Sequence, residues 1–206
     1  MNKELSDQEK FWQGDFGSNY IDRNKSNQLL SSNVSMFSRI FESMDDVSSI
    51  AEFGCNVGMN LRALRNIFPD INLTGVDINP DAINNVNRWG GAHGVLGSIV
   101  DLDLKEKFDL TFTKGVLIHI NPNLLNSVYE NLYKYSTRYI LVAEYYNPSP
   151  VTIEYRGEKD KLFKRDFAGE MLDKYQDLKL IKYGFIYKRD TTFPQDDITW
   201  FLMEKS

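Results

Sequence analysis

Ser49-Ile50-Ala51-Glu52-Phe53-Gly54-Cys55-Asn56-Val57-Gly58-Met59-Asn60 is the stretch that decides the fold of this chain. Ile50 to Phe53 is a short apolar run bounded by a glycine, the pattern of a buried strand. Gly54 to Gly58 reads as a tight turn, and from Met59 the apolar residues take helical spacing. A strand, a glycine turn and a helix in that order form a cradle for a nucleotide-containing ligand. The glycines let the backbone approach that ligand with no Cβ in the way. Glu52 closes the strand and is expected at the mouth of the turn. Immediately outward, Asn72-Leu-Thr-Gly-Val-Asp77 reads as a second strand with an acid at its tip. Asp77 follows Glu52 at roughly the 20-residue offset of a ribose-binding acid.

Two kinds of ligand suit such a unit. A dinucleotide asks for Gly-x-Gly-x-x-Gly, so that its pyrophosphate can sit on a helix N-terminus. The frame here is Gly54-Cys-Asn56-Val-Gly58 with Glu52 before it. That frame resembles motif I of class I S-adenosylmethionine (SAM)-dependent methyltransferases, and Asp77 resembles their ribose-binding acid. Asn56 stands where many of those enzymes have glycine, and asparagine tolerates a left-handed backbone better than most residues. The competing reading is an ordinary βα turn that holds nothing.

The chain has 206 residues, 42% of them hydrophobic and 26% charged, enough for one well-buried α/β domain. A net charge of −5 argues against a broad nucleic-acid footprint, which needs a basic surface. A single cysteine excludes an intrachain disulfide, and Cys55 lies inside the glycine turn, where its small size explains it. Residues 1–10 carry no apolar signal core, and no run reaches the ~18 apolar residues of a membrane span. A soluble, cytoplasmic protein with no membrane partner is expected.

Before the turn, Phe11, Trp12, Phe16 and Tyr20 crowd aromatics among glycines. Residues 1–25 are expected to fold over the domain as an arm or lid, with Tyr20 or Arg23 reaching the cofactor; plain packing of a terminal arm is the alternative. Leu30, Val34, Phe37, Phe41 and Met44 predict an amphipathic helix over 27–44. Pro69 ends the helix after the turn, and Asn79-Pro80 opens another that runs to about Arg88. Gly94 to Ile99 is expected as strand three, with Ser98 and Ile99 at the adenine. Asp101 and Asp103 look like a carboxylate pair but lack further ligands at metal spacing, so no metal is expected. Phe108 to Thr113 reads as strand four, Arg138 to Tyr146 as strand five, and Leu125, Val128, Leu132 and Tyr135 as the inner face of the helix between them. An irregular loop over 151–162, a helix from Phe163 to Tyr175, and strands Leu178–Tyr187 and Ile198–Glu204 complete the chain.

Several longer stretches resemble the pseudaminic acid biosynthesis-associated methylases, a small class I methyltransferase family. They are Glu52 to Asn60, Phe112-Thr-Lys-Gly-Val-Leu-Ile-His-Ile-Asn-Pro122, Ala143-Glu-Tyr-Tyr-Asn-Pro148, Tyr155-Arg-Gly157, Leu162 to Glu170 and Phe193-Pro-Gln-Asp-Asp-Ile-Thr-Trp-Phe201. The resemblance implies one domain over 1–206, with a three-layer Rossmann-like α/β fold and a seven-stranded, mostly parallel sheet whose last strand is antiparallel. It implies SAM as cofactor and an acceptor near nine-carbon, sialic-acid-like sugars, with no nucleic-acid partner. The expected cofactor set is Tyr20, Glu52, Gly54, Cys55, Asn56, Gly58, Asp77, Ile78, Ser98, Ile99 and Lys114.

Ligands of open α/β sheets bind beyond the carboxyl ends of the strands. The acceptor is therefore expected on the loops after strands four and five. Methyl transfer from a sulfonium is an in-line displacement in which positioning supplies much of the rate, and an oxygen or ammonium acceptor also needs a base. His119, with an ordinary pKa near neutrality, and Glu144, a carboxylate closing an apolar strand, are the candidate bases; Tyr146 joins them as a catalytic candidate. A packed helix-entry histidine and a Glu144 ion pair with Arg156 or Arg165 are the bland alternatives. Tyr145 and Tyr155 offer ring faces and hydroxyls for a sugar, and Arg156 and Arg165 offer cations for a carboxylate or phosphate. Asp196-Asp197, between the last two strands, lies where the resemblance hints at the site. Asn147-Pro-Ser-Pro150 has the wrong strand position and no aromatic for an amino-methylating signature. A protein or natural-product acceptor, or a non-catalytic SAM-binding partner of a biosynthetic complex, are the rival functions.

Overall fold

The structure is a computed structural model that describes residues 4–21, 26–155 and 158–206. Two short helices, α1 (Asp7–Gln13) and α2 (Asp15–Ile21), precede α3 (Asn27–Phe41). Then come β1 (Ser49–Phe53), α4 (Met59–Ile67), β2 (Asn72–Asp77), α5 (Pro80–Trp89) and β3 (His93–Leu96). β4 (Phe108–Lys114), α6 (Leu125–Tyr135) and β5 (Ser136–Glu144) follow. A hairpin, β6 (Val151–Tyr155) and β7 (Glu158–Lys164), leads to α7 (Phe167–Lys174), β8 (Leu178–Ile186) and β9 (Ile198–Lys205).

Seven strands form one sheet in the order β3-β2-β1-β4-β5-β9-β8. β1 to β5 pair in parallel, and β9 runs antiparallel to both β5 and β8. The expected α/β class, with a mostly parallel sheet and an antiparallel last strand, is the observed one. Strand alternation sends successive side chains to opposite faces. Ile50, Leu110, Phe112 and Leu141 pack under α3, α4 and α5. Ala51, Phe53, Ile140 and Val142 pack under α6 and α7. Burying both faces explains why the central strands are near-continuous apolar runs.

Five local expectations change. The buried face of α3 is Ser32, Asn33, Met36, Phe37 and Ile40; Leu30, Val34, Phe41 and Met44 sit on its flank, half-buried. Strand three ends at Leu96, because Gly97 N–H donates to Asp77 O (2.9 Å) and turns the chain across the sheet end, leaving Ser98 and Ile99 in a turn. Residues 151–155 and 158–162, expected in an irregular loop, belong to the paired strands β6 and β7, and Arg156 and Gly157 lie outside the described residues. The helix predicted from Phe163 begins at Phe167, where Asp166 accepts from Gly169 N–H (2.8 Å) as its cap. Phe163 matches the helical spacing by coincidence; it is buried from β7. Strand five stops at Glu144, two residues before Tyr146.

Candidate active site

A cavity of about 400 Å³ opens at the carboxyl edge of the sheet, between the ends of β1, β2, β4 and β5 and the two N-terminal helices. Its floor is the glycine turn. Gly54 and Cys55 N–H both donate to Val76 O (2.8 and 2.9 Å), which locks the turn onto β2. Gly54 takes φ +83°, and a Cβ there would stand 2.6 Å from Val116 Cγ2. Asn56 takes φ 47°, the left-handed conformation that asparagine tolerates. α4 starts at Gly58 with no side-chain cap, so its first amides are left for solvent or ligand.

Asp77 organises the end of the cavity over β2 and β3. Its Oδ2 accepts from Asn56 N–H (2.7 Å) and its Oδ1 from Asn79 N–H (2.9 Å). Burial pushes its pKa up, and those amide hydrogen bonds pull it back. Each oxygen keeps a lone pair for a ligand hydroxyl. Asn79 caps α5 through Oδ1, accepting from Asp81 and Ala82 N–H (2.9 and 3.2 Å). Its Nδ2 faces the other way and donates to Trp12 O (3.2 Å), Gln13 O (3.4 Å) and Ser18 Oγ (3.3 Å). Ser98 Oγ donates to Glu9 Oε1 (2.5 Å). The Asp77 end of the cavity thus also carries the docking contacts of α1 and α2. Gly17 permits that closeness: a Cβ there would stand 1.9 Å from Trp12 O.

The cavity brings together most of the expected cofactor set: Tyr20, Gly54, Cys55, Asn56, Asp77, Ile78, Ser98, Ile99 and Lys114 all line it. Gly58 shapes the turn from behind, as the left-handed start of α4. Glu52 departs from expectation. It is fully buried beneath the turn, on the α4 face of β1, and accepts from Asn60 Nδ2 (2.6 Å). Desolvation raises its pKa to about 8 despite that bond and the nearby Lys114. The Cys55 thiol is likewise buried and its pKa pushed up, which makes it a packing residue.

The acceptor and base candidates divide. His119 ends a 3₁₀ turn, Leu117–His119, lines the cavity, and lies 4.6 Å from the Trp12 ring, centroid to centroid. Tyr145 also lines it, with Lys164 Nζ 5.2 Å from its ring centroid. Glu144 does not. Alternation along β5 turns it to the α6 face, where Oε1 accepts from Val116 and Leu117 N–H (both 3.0 Å) and caps the 3₁₀ turn that carries His119. Its pKa, raised to about 7 by burial, belongs to that buried role. Tyr146 is exposed outside the cavity, its ring 5.8 Å from Phe201. Arg165 pairs with Glu170 (2.6 Å) rather than with Glu144 or the cavity. The Tyr155 side chain, Arg156 and Arg23 lie outside the described residues.

Three further polar residues line the cavity that local sequence signals did not single out: Asn33 on α3, Asn60 on α4 and Gln195 before β9. Asn33 had a sequence signal, a polar residue four positions before the buried Phe37 on one helix face. Gln195 sits beside Asp196, whose charge acts on Lys114 together with those of Glu52 and Glu144; desolvation still holds the Lys114 pKa below its ordinary value.

Residues 51–137 match a family profile described as a methyltransferase domain. No curated protein sequence matches the chain. Among solved structures it is similar to the magnesium protoporphyrin IX methyltransferase of Synechocystis PCC 6803 with bound S-adenosylhomocysteine (SAH): 13% identity, 96% of this chain and 98% of the other, TM-score 0.68. It is similar to 1,6-didemethyltoxoflavin-N1-methyltransferase of Burkholderia thailandensis at 13% identity, 100% and 93% coverage and TM-score 0.70. The aminopentose methyltransferase CalS10 of Micromonospora echinaspora gives 11% identity, full coverage of both chains and TM-score 0.65. The fold is that of the class I methyltransferases. The match over residues 51–137 lies on the part of the chain that carries the glycine turn and β1 to β4. At this level of identity, and with 1028 solved chains matching, the fold does not choose an acceptor.

Proposed function

We propose that this chain methylates a small sugar-derived acceptor in the cytoplasm, of the pseudaminic or nonulosonic acid class or an activated precursor of it. The carrying observation is a single cavity with two polar ends. Asp77 and Ser98 mark one end, over β2 and β3; Lys114, Tyr145 and Asp196 mark the other, over β4, β5 and β9. Asp77 and Tyr145 stand at the ends of strands three spacings apart, roughly 14 Å. The resemblance of several long stretches to the pseudaminic acid biosynthesis-associated methylases supports the sugar class.

The turn fits SAM. Val116 leaves no room for a Cβ on Gly54, Asn56 Oδ1 is buried without a partner, and the Asp77 carboxylate stands at the end of β2 beside the turn. Gly54, Asn56, Gly58 and the first amides of α4 would hold the amino-acid tail, Asp77 and Ile78 the ribose, and Ser98 and Ile99 the adenine. When bound, SAM supplies an electrophilic methyl on a sulfonium. The chain's residues position the acceptor against it, and the α1–α2 arm acts as a lid that excludes water through Trp12 and Tyr20. His119 takes the acceptor proton on an imidazole nitrogen. Glu144 acts one step back, holding the turn that presents His119.

Calorimetric titration with SAH, with NAD as the comparison ligand, tests the cofactor half. Micromolar binding of SAH alone is expected, and NAD binding in its place would remove the reading. Methyl transfer from labelled SAM to activated nonulosonic sugars tests the acceptor half. Turnover with a peptide or an unrelated metabolite and none with these sugars would move the chain to the rival acceptor class.

A further inference from the structure

Asn33 is 1% exposed and Gln195 is 8% exposed, and both line the cavity. Among the described residues, neither the nitrogen nor the oxygen of either amide has a hydrogen-bond partner. Other buried side chains at the site leave a single atom unpaired, such as Asn56 Oδ1, Asn60 Oδ1 and Glu52 Oε2. Among the described residues, only these two leave a whole amide. A buried polar group without a partner is costly, and it persists where another molecule supplies the partner.

Their placement separates them from the ribose end. Asn33 lies one turn before Phe37, which packs on Phe112 of β4 (5.5 Å between ring centroids). Gln195 and Asp196 stand beyond the carboxyl end of β5, where Glu144 pairs with Thr199 of β9. Lys114, at the tip of β4, lines the same cavity. It is answered by the charges of Glu52, Asp196 and Glu144, which leaves no uncompensated cation to attract a multiply charged anion. An amide offers a donor beside an acceptor, so two amides ask for a neutral partner with the same pairing.

We propose that Asn33 and Gln195 form an acceptor subsite for a neutral group that sets a donor beside an acceptor, either adjacent hydroxyls or an acylamino group on a sugar ring. This rests on the methyltransferase reading above and names the part of the acceptor that the site reads.

The test replaces each amide by an apolar side chain of similar size, Asn33→Leu and Gln195→Met. Three outcomes are expected together. SAH affinity stays within twofold. The melting midpoint of the SAH-loaded protein rises by about 2–4 °C in each variant, as removal of an orphaned polar group predicts. Saturation-transfer NMR on the SAH-loaded wild type shows contact to N-acetylglucosamine, to glucose, or to both, and each variant loses it. Signal from glucose assigns the hydroxyls as sufficient; signal from N-acetylglucosamine alone assigns the acyl group. A lowered midpoint would make the amides structural and overturn the proposal. So would a tenfold loss of SAH affinity, which would give them to the cofactor, or the absence of signal from both sugars. Wild-type protein that does not bind SAH would instead strike the methyltransferase reading, and the midpoints of the unloaded variants and wild type then decide whether the amides are structural.

Discussion

The two ends of the cavity are built to different standards. Over β2 and β3 the polar groups answer one another: Asp77 takes two amides, Asn79 caps one helix and ties down another, and Ser98 holds Glu9. At the other end, Asn33 and Gln195 hold nothing, and behind the cavity wall Glu52 and Glu144 each leave one oxygen buried and unpartnered. The difference teaches that one end is pre-organised by the chain itself while the other is completed by what it binds. Pre-organisation reduces the ordering cost of binding. Unsatisfied polar groups lower folding stability and add selectivity.

The largest expected effect breaks the ordered end. Asp77→Ala removes two charge-assisted hydrogen bonds from the turn as well as the ribose contact, so SAH binding should weaken by about 100-fold or more. Calorimetry checks it, and an unchanged affinity would take Asp77 out of the site. Because Asp77 also holds Asn56 and Asn79, this variant should melt earlier too.

The next tests the unsatisfied carboxylate beneath the glycine turn through pH. Glu52 keeps its proton to about pH 8 in the folded chain, against an ordinary 4.5. Between those values the unfolded state binds fewer protons, so folding stability falls as pH rises. Glu52→Gln removes that slope. From pH 5 to pH 8 the wild type should lose stability relative to the variant, on the order of 3 kcal/mol. Parallel denaturation profiles for the two proteins would show that Glu52 ionises normally.

A third asks whether the arm joins the two ends. Gly17→Leu drives a side chain into the Trp12 carbonyl and should undock α1 and α2. SAH affinity should then fall about tenfold, with faster proteolysis in the arm. Retained affinity would confine the arm to packing. The smallest effect marks the outer limit of the site. Arg165→Ala breaks the pair with Glu170 and should cost about 1 kcal/mol by denaturant titration, with SAH affinity unmoved.

The ordered end was largely legible in the sequence. Glycines at a strand end, an acid one βα unit later and an Asn-Pro helix start are local signals, each forced by backbone geometry at its own position. Glu52 was legible as an acid but misplaced, because whether a strand-end side chain faces the cavity or the core depends on which face α4 covers. Glu144 failed for the same reason, through alternation along β5. The hairpin was missed because Phe163, Phe167 and Met171 imitate a helix across a strand-to-helix junction. Asn33 and Gln195 are brought together only by the fold, 162 positions apart in the chain (195 − 33).

Cys55 is the chain's single cysteine, and its sulfur packs where a Cβ on Gly75 would stand 2.7 Å away. The cradle therefore carries its own clock. A thiol reagent can reach that sulfur only when the turn lifts from β2, so the modification rate counts those openings, and the slowing that saturating SAH produces reads how firmly the ligand holds the turn shut.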